Sequence, residues 1–445
     1  MMIAGSLAFG CGESDDTIAS RARREGMYDP GTPRFEFEAM PGLHNGVPAA
    51  RCDVEIPFTS LVFVRSGPGL VARYELRLRL ASEFGGAALS EVSWQDSVRK
   101  DSAASPGSVR ISGRWIDGRE GEIGIEAVLE DLSSNRTAVR SQRLELYPSN
   151  DSTPRILRPV LRMTRGNEEI PVLSPQVPLG LPGFHALCEF RNLDRISPNE
   201  SRIVLLRFPI DTLPASPPHF LNSLPSTLRR NGIDVRKPDT LWSRSVVPGA
   251  SPLFLERVPL EGMRAGVYEI VLRVPAADLE QRRLIVRVDR DFPRCVRLRS
   301  IVDPLVYLLP RSRFEEFAEV MREDSLRALF ERTWLEFGGN PDGASNLIRT
   351  FAERIEQANI SFSTFREGWK SDLGMVSIVF GPPAYVEREF KKERWVYGSG
   401  LLFTFEQAIT RRGDALVENW VLLRDAGYER YWEKELDRWR NGRVF

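Results

Sequence analysis

The hydrophobic pattern of this chain changes period once, near Arg290, and that change limits the folds open to it. Ahead of that point apolar residues return at every second position. Tyr74, Leu76, Leu78 and Leu80 alternate with Arg73, Glu75, Arg77 and Arg79, which describes a strand with one buried and one wet face. Comparable runs occur at residues 54–58, 61–64, 109–116, 123–129 and 143–147, separated by Gly, Ser and Asp. Short strands at this spacing with no helical pattern between them predict an antiparallel sandwich, read here as immunoglobulin-like. A second such unit is expected after Pro154, with strands at 156–161, 185–191, 203–208, 267–274 and 284–288, and with the Pro- and Ser-rich segment 211–252 as a long excursion.

Beyond Arg290 the spacing becomes three and four. Phe314, Phe317, Met321, Leu329, Phe330, Trp334 and Phe337 form one stripe that stops at Gly338-Gly339, and Leu347, Phe351, Ile355, Ala358 and Phe362 form another. Both stripes are read as core-facing. Tyr428, Tyr431, Trp432, Leu436 and Trp439, set among Arg, Lys and Glu, predict an amphipathic C-terminal helix that packs on its own domain, the alternative being a docking helix for a partner. With 445 residues the chain is too long for one ordinary core. The plan is therefore a leader and tether over 1–33, sandwich modules over 34–150 and 151–290, and a small α+β domain over 291–445. The fold class is mainly β with α+β.

Lys plus Arg and Asp plus Glu are equal at 61 each, so the basic excess that offsets phosphate charge is missing and nucleic acid is not an expected partner. Cys11, Cys52, Cys188 and Cys295 show no spacing suited to zinc, and neither a metal nor a cofactor is expected. The small apolar run before Gly10-Cys11, with a polar stretch after it, resembles a bacterial lipoprotein signal, although no Lys or Arg precedes it. On this reading Cys11 carries the lipid and the segment behind it is a flexible tether. If Cys11 is acylated, the other three thiols allow at most one disulfide.

The second helical stripe leads to Gly368-Trp369-Lys370-Ser371-Asp372-Leu373-Gly374, then to Phe380-Gly381-Pro382-Pro383, and later to Trp395-Val396-Tyr397 and Leu402-Phe403-Thr404-Phe405. This succession resembles the GWxTD domain of bacterial envelope proteins, over about a third of the chain. Ser371 stands where the family has Thr, and Leu373 where a basic residue is common. The resemblance implies a helix, the Gly-Trp turn, a strand ending near Gly381 and Pro382, and a later strand holding Trp395 and Tyr397. It implies a place and an architecture, and no reaction.

Read for their own chemistry, Gly368 and Gly374 bracket a tight turn expected to need positive φ. Asp372 is expected to accept backbone N–H groups as an Asx turn, and Trp369 to wedge over the helices. The alternative is that Trp369, Asp372, Trp395 and Tyr397 make an exposed aromatic-and-carboxylate surface for a sugar ring or a peptide. None of His44, His185 and His219 lies in this segment, which leaves no Ser-His-Asp or Cys-His set there. Gly67-Pro68-Gly69 and Gly85-Gly86 are turns and not phosphate loops. Glu315-Glu316 and Glu387 with Glu389 are read as solvated pairs.

The expectation is a non-catalytic, lipid-tethered protein facing the periplasm that binds or assembles with an envelope protein or a glycan. The alternative is an envelope hydrolase or carbohydrate-active enzyme using Asp372 and a Glu of the same domain.

Overall fold

The computed structural model describes residues 33–444 except 83–85, 101–107, 175, 194–200, 222–232, 247–252, 390, 399 and 413–414; Cys11 and the tether lie outside the described residues. The chain divides into two compact units, Met1–Ser152 and Thr153–Phe445. The sandwich expected over 151–290 and the α+β domain expected over 291–445 thus share one unit.

In the first unit Glu36–His44, Val47–Pro57 and Ser108–Asp117 form one antiparallel sheet. Val64–Ser66, Gly69–Ala81, Gly121–Asp131 and Arg136–Leu146 form the other, and Ala88–Lys100 also pairs with Gly69–Ala81. The alternation around Tyr74 does what its period requires. Tyr74, Leu76, Leu78 and Leu80 are buried against Cys52, Val54 and Ile56 of the facing sheet, while Arg77 and Arg79 reach Glu130 and Glu126 across the strand pair at 3.4 and 3.5 Å. Asn45 and Gly46, with φ of 53° and 80°, close the first hairpin in the backbone conformation that suits strand twist.

The second unit opens with a sandwich. Glu168–Pro171, Val160–Arg165, His185–Arg191 and Leu253–Pro259 make one sheet; Gln176–Pro178, Leu279–Val288, Gly266–Val274, Ser201–Phe208 and Asp239–Val246 make the other. Phe184, Phe190, Ile203, Tyr268, Ile270 and Leu272 lie in the core between them. The segment 211–252 is not a single excursion. It contains the strand Asp239–Val246, which pairs with Ser201–Phe208, because Trp242 and Val246 find core to cover.

The helical part comprises α1 (Leu298–Val302), α2 (Arg311–Glu319), α3 (Glu323–Gly338), α4 (Pro341–Phe362), α5 (Asp372–Phe380) and α6 (Glu429–Arg440). An antiparallel sheet, Tyr385–Glu389, Lys392–Val396, Leu402–Arg412 and Ala415–Leu422, lies between α5 and α6 in the chain. Two expectations fail here. The stripe from Phe314 to Phe337 is broken between α2 and α3, which leaves Met321 89% exposed and outside any core. The apolar run 372–380, expected as a strand, is α5, with every residue from Asp372 to Val379 buried. A helix buried on all sides has no period to betray it, so such a run reads equally well as a strand.

Capping sets the ends of these helices. Gly339, at φ 71°, closes α3, and the Asn340 Oδ1 accepts from the Gly343 N–H at 2.8 Å with Pro341 at the first position of α4. Trp334, Phe351 and Trp439 meet with ring centroids 5.3 to 6.2 Å apart, so α3, α4 and α6 share one aromatic core. Phe365, just beyond α4, is buried with Phe208, Val267, Val286 and Val288 of the sandwich, which joins the two parts of this unit.

Candidate functional site

The Gly-Trp-Lys-Ser-Asp segment is a short 3₁₀ turn, Gly368–Lys370, held between α4 and α5. Its first N–H groups are taken by the end of α4: Gly368 donates to the Ser363 Oγ at 2.7 Å and Trp369 to the Asn359 Oδ1 at 3.2 Å. Ser371 caps α5. Its Oγ accepts from the Gly374 N–H at 2.9 Å and donates to the Gly368 carbonyl at 2.6 Å.

The two glycines are required for a different reason than expected. Neither Gly368 nor Gly374 has a left-handed φ. A Cβ on Gly368 would lie 1.9 Å from the Ala358 carbonyl oxygen, and one on Gly374 would lie 2.0 Å from that of Gly368. What they permit is backbone contact between α4, the turn and α5. Positive φ belongs instead to Gly381, at 77°, which ends α5.

Asp372 makes no Asx turn either; the Ser371 hydroxyl already caps the helix. The Asp372 carboxylate accepts from Arg424 at 2.7 Å on one oxygen and from the Leu422 N–H at 2.9 Å on the other. The same guanidinium donates to the Ser216 carbonyl at 3.1 Å. Beside it the Tyr307 hydroxyl donates to the Trp369 carbonyl at 2.8 Å, and the Ala215 N–H donates to the Lys370 carbonyl at 3.1 Å. Burial pushes the Tyr307 phenol well above its ordinary range. Residues 215 and 216 from the sandwich are thereby tied across the motif. Tyr307 and Arg424 carry this network and were not singled out from the sequence, where Tyr307 is one residue of an apolar run and Arg424 follows a strand with nothing to mark its partner.

The aromatic-and-carboxylate surface is not assembled. Trp369 is 7% exposed and packs edge-on to Tyr307 with centroids 6.2 Å apart. Trp395 is fully buried between Phe362 and Phe405, its Nε1 donating to Glu393 at 2.6 Å. Tyr397 is half-buried, and its hydroxyl donates to the Gly381 carbonyl at 2.9 Å. Pro382 is exposed. Trp369 and Trp395 are buried, and the half-buried Tyr397 gives its hydroxyl to backbone, so the three rings do not form one exposed platform.

The family model of the GWxTD domain matches residues 271–441. This chain is a GWxTD domain-containing protein. The match begins inside the Gly266–Val274 strand, so the GWxTD model takes in the end of the sandwich as well as the helical part. Comparison with curated proteins gives no match. Among solved structures the chain is similar to the native conformation of E. coli alpha-2-macroglobulin, at 13% identity over 58% of this chain and 16% of that one, with a TM-score of 0.19. It is also similar to the BSP domain of a biofilm associated protein, at 8% identity over 62% of this chain and 55% of that one, with a TM-score of 0.16. The chain thus spans 16% of the first and 55% of the second.

Next to the GWxTD turn a recess of about 370 Å³ opens, lined among others by Asp303, Met321, Asn359, Glu367, Trp369 and Lys370. Its charges are largely paired: Lys370 with Glu367, and Arg297 with Asp289 and with Asp291, the last at 3.2 Å. Arg299 donates to the Phe317 and Val320 carbonyls. Desolvation raises the Asp303 carboxyl, against the pull of Arg299 and Lys370. The carboxylates named from the sequence lie elsewhere. Glu315 and Glu316 are exposed on α2, and Glu387 and Glu389 are exposed beside Arg394. His44, His185 and His219 all lie outside the GWxTD match, and His219 packs on Phe220 and Trp432. Among the described residues no three His, Cys, Asp or Glu side chains are grouped as metal ligands. Cys52, Cys188 and Cys295 are free thiols, the first two buried. No helix among the described residues is long and apolar enough to cross a membrane.

Proposed function

We propose that this protein is a non-catalytic component of the bacterial cell envelope, tethered by a lipid on Cys11, which binds or assembles with an envelope protein or a glycan. The observation that carries the reading is the state of Asp372, the carboxylate of the motif: it is 7% exposed and held by Arg424 and the Leu422 N–H. A carboxylate whose lone pairs face a guanidinium and a backbone N–H inside a core has no position from which to take a proton from a substrate. The recess beside Trp369 and Lys370 supplies a concave surface of mixed charge, as binding requires. The test is recovery of the full-length chain, cross-linked in cells, from membrane fractions. The expected result is membrane association that Cys11→Ser abolishes, and one specific cross-linked partner that Lys370→Glu loses while the protein stays folded. A fully soluble, unacylated chain overturns the tether, and indiscriminate cross-linking overturns the partner.

One observation favours an envelope hydrolase: the raised Asp303 carboxyl lies in the recess near Glu367. That reading requires consumption of a cell-wall glycan or peptide by purified protein, lost in Asp303→Asn.

A further inference from the structure

The strand Ala88–Lys100 is 13 residues long and, among the described residues, lies at an edge of its sheet, paired on one side only, with Gly69–Ala81. Such edges offer a row of free N–H and C=O groups, and they are usually blunted by Pro, by a bulge, by a short strand or by charged side chains, of which this strand has Glu91, Asp96, Arg99 and Lys100. This one holds no Pro. The single irregularity in its pairing falls at the Ala88 end, so residues 90–100 run regularly.

Both faces of the strand are under-covered. Trp94 and Val98 pack on the core, yet Val92, on the same face, is 41% exposed. On the outer face Glu91 and Arg99 are exposed and have no ion-pair partner among the described residues.

We propose that this edge is the self-association surface of the protein, two copies pairing their Ala88–Lys100 strands antiparallel about a two-fold axis at Gln95. In that register the strand meets its own reverse in three matched pairs, with Trp94 opposite Asp96 and Ser90 opposite Lys100 as the unmatched ones. Glu91 falls opposite Arg99, Ser93 opposite Ser97, and Val92 opposite Val98, each pair occurring twice because the contact is isologous. Opposed charges and opposed β-branched residues are the cross-strand pairs that stabilise antiparallel sheets. A register shifted by two residues sets Arg99 against Leu89 or against Ser93, and leaves Glu91 without its opposite charge. The chosen register also places Val98 of one copy beside the exposed Val92 of the other. Backbone bonds supply the affinity and the charges supply the register, as in strand addition generally. An edge contact of this kind belongs to the small, reversible class of interface.

The test uses the full-length chain in mild detergent with a short bismaleimide. Gln95→Cys is expected to give a covalent dimer well above the unsubstituted chain. Ser93→Cys alone is not, since two copies of residue 93 would lie about 14 Å apart, but a mixture of Ser93→Cys with Ser97→Cys is. Glu91→Arg is expected to weaken association on the order of tenfold by setting like charges opposite each other, and adding Arg99→Glu to restore it. Equal cross-linking at positions 93 and 95 overturns the register. Sedimentation of the unsubstituted chain is the second measurement, and a strict monomer over the whole accessible concentration range overturns the proposal.

Discussion

Asp372→Ala is the change that most directly separates a structural corner from a reaction centre. The Asp372 and Arg424 side chains are 9% and 6% exposed and 2.7 Å apart, so removing the carboxylate leaves a guanidinium in a nearly dry site. Breaking a buried pair by deleting one partner costs about 3–5 kcal/mol, most of it the desolvation of the charge left behind. Here part of that penalty is relieved, since Arg424 keeps the Ser216 and Leu422 carbonyls, but the Leu422 N–H loses its acceptor as well. A loss of about 3 kcal/mol is expected for Ala. For Asn, which keeps an acceptor for Leu422, roughly half of that is expected. Asp372→Leu combined with Arg424→Met should destabilise by less than the sum of the single changes, with a coupling of at least about 1 kcal/mol. The assay is urea unfolding followed by tryptophan fluorescence, in which Trp242, Trp334, Trp369, Trp395, Trp420, Trp432 and Trp439 report on this unit. A shift below about 0.5 kcal/mol for Asp372→Ala, within the range of ordinary surface changes, would refute the reasoning. Loss of a turnover activity at unchanged stability would refute it more directly.

The hydroxyl of Ser371 both caps α5 and holds the Gly368 carbonyl, so Ser371→Ala should cost about 1–2 kcal/mol, and Ser371→Thr, which keeps the hydroxyl, well under that, by the same unfolding curve. Gly374→Ala sets a methyl group 2.0 Å from a backbone oxygen that no side-chain rotation can move, and it should yield little folded protein. Gly381→Ala meets the flexible end of Arg354 at 2.9 Å and a left-handed φ, and should cost about 1–2 kcal/mol in thermal melts. Burial first, and then the Glu356 charge, push the Cys295 thiol from 9.0 up to about 12. At pH 8 it therefore carries roughly a thousandth of the thiolate of an unperturbed cysteine, and alkylation by iodoacetamide should be slow in the native state and fast in urea.

How much of this was legible in the sequence depended on whether a residue's role leaves a periodic trace. The strand at Tyr74 and the helix through Leu347, Phe351 and Ile355 could be read because each has one wet face, and the period follows from that asymmetry. Run 372–380 has no wet face, and its helix was hidden. Strand 239–246 was hidden for the opposite reason: most of its side chains are exposed, and only Trp242 and Val246 touch core. Spacing alone puts Met321 in a stripe, whereas a break between α2 and α3 removes it from that face. The motif was recognisable as a pattern, but the partners of its residues were not. Asp372 meets an arginine 52 positions away, and no local rule connects the two.

The same network ties the motif into the frame of its unit. Two glycines let the turn touch α4 on one side and α5 on the other through backbone alone, and the Trp369 and Lys370 carbonyls of that buried turn need donors. Tyr307 satisfies the first and the Ala215 N–H the second. Because residues 215 and 216 come from the sandwich, satisfying these carbonyls also clamps the two parts of the unit together, and the Asp372–Arg424 pair fixes the clamp by holding the Ser216 carbonyl. Arg366 adds a contact of the same kind, to Asp211 at 3.6 Å and to the Leu213 carbonyl at 3.3 Å. Ser371 and Asp372 are thus engaged with backbone and with Arg424, while the Lys370 ammonium pairs with Glu367 at the rim of the recess. The surfaces the clamp leaves open are the recess beside Trp369 in this unit and, in the other, the edge at Gln95, which is paired on one side only among the described residues.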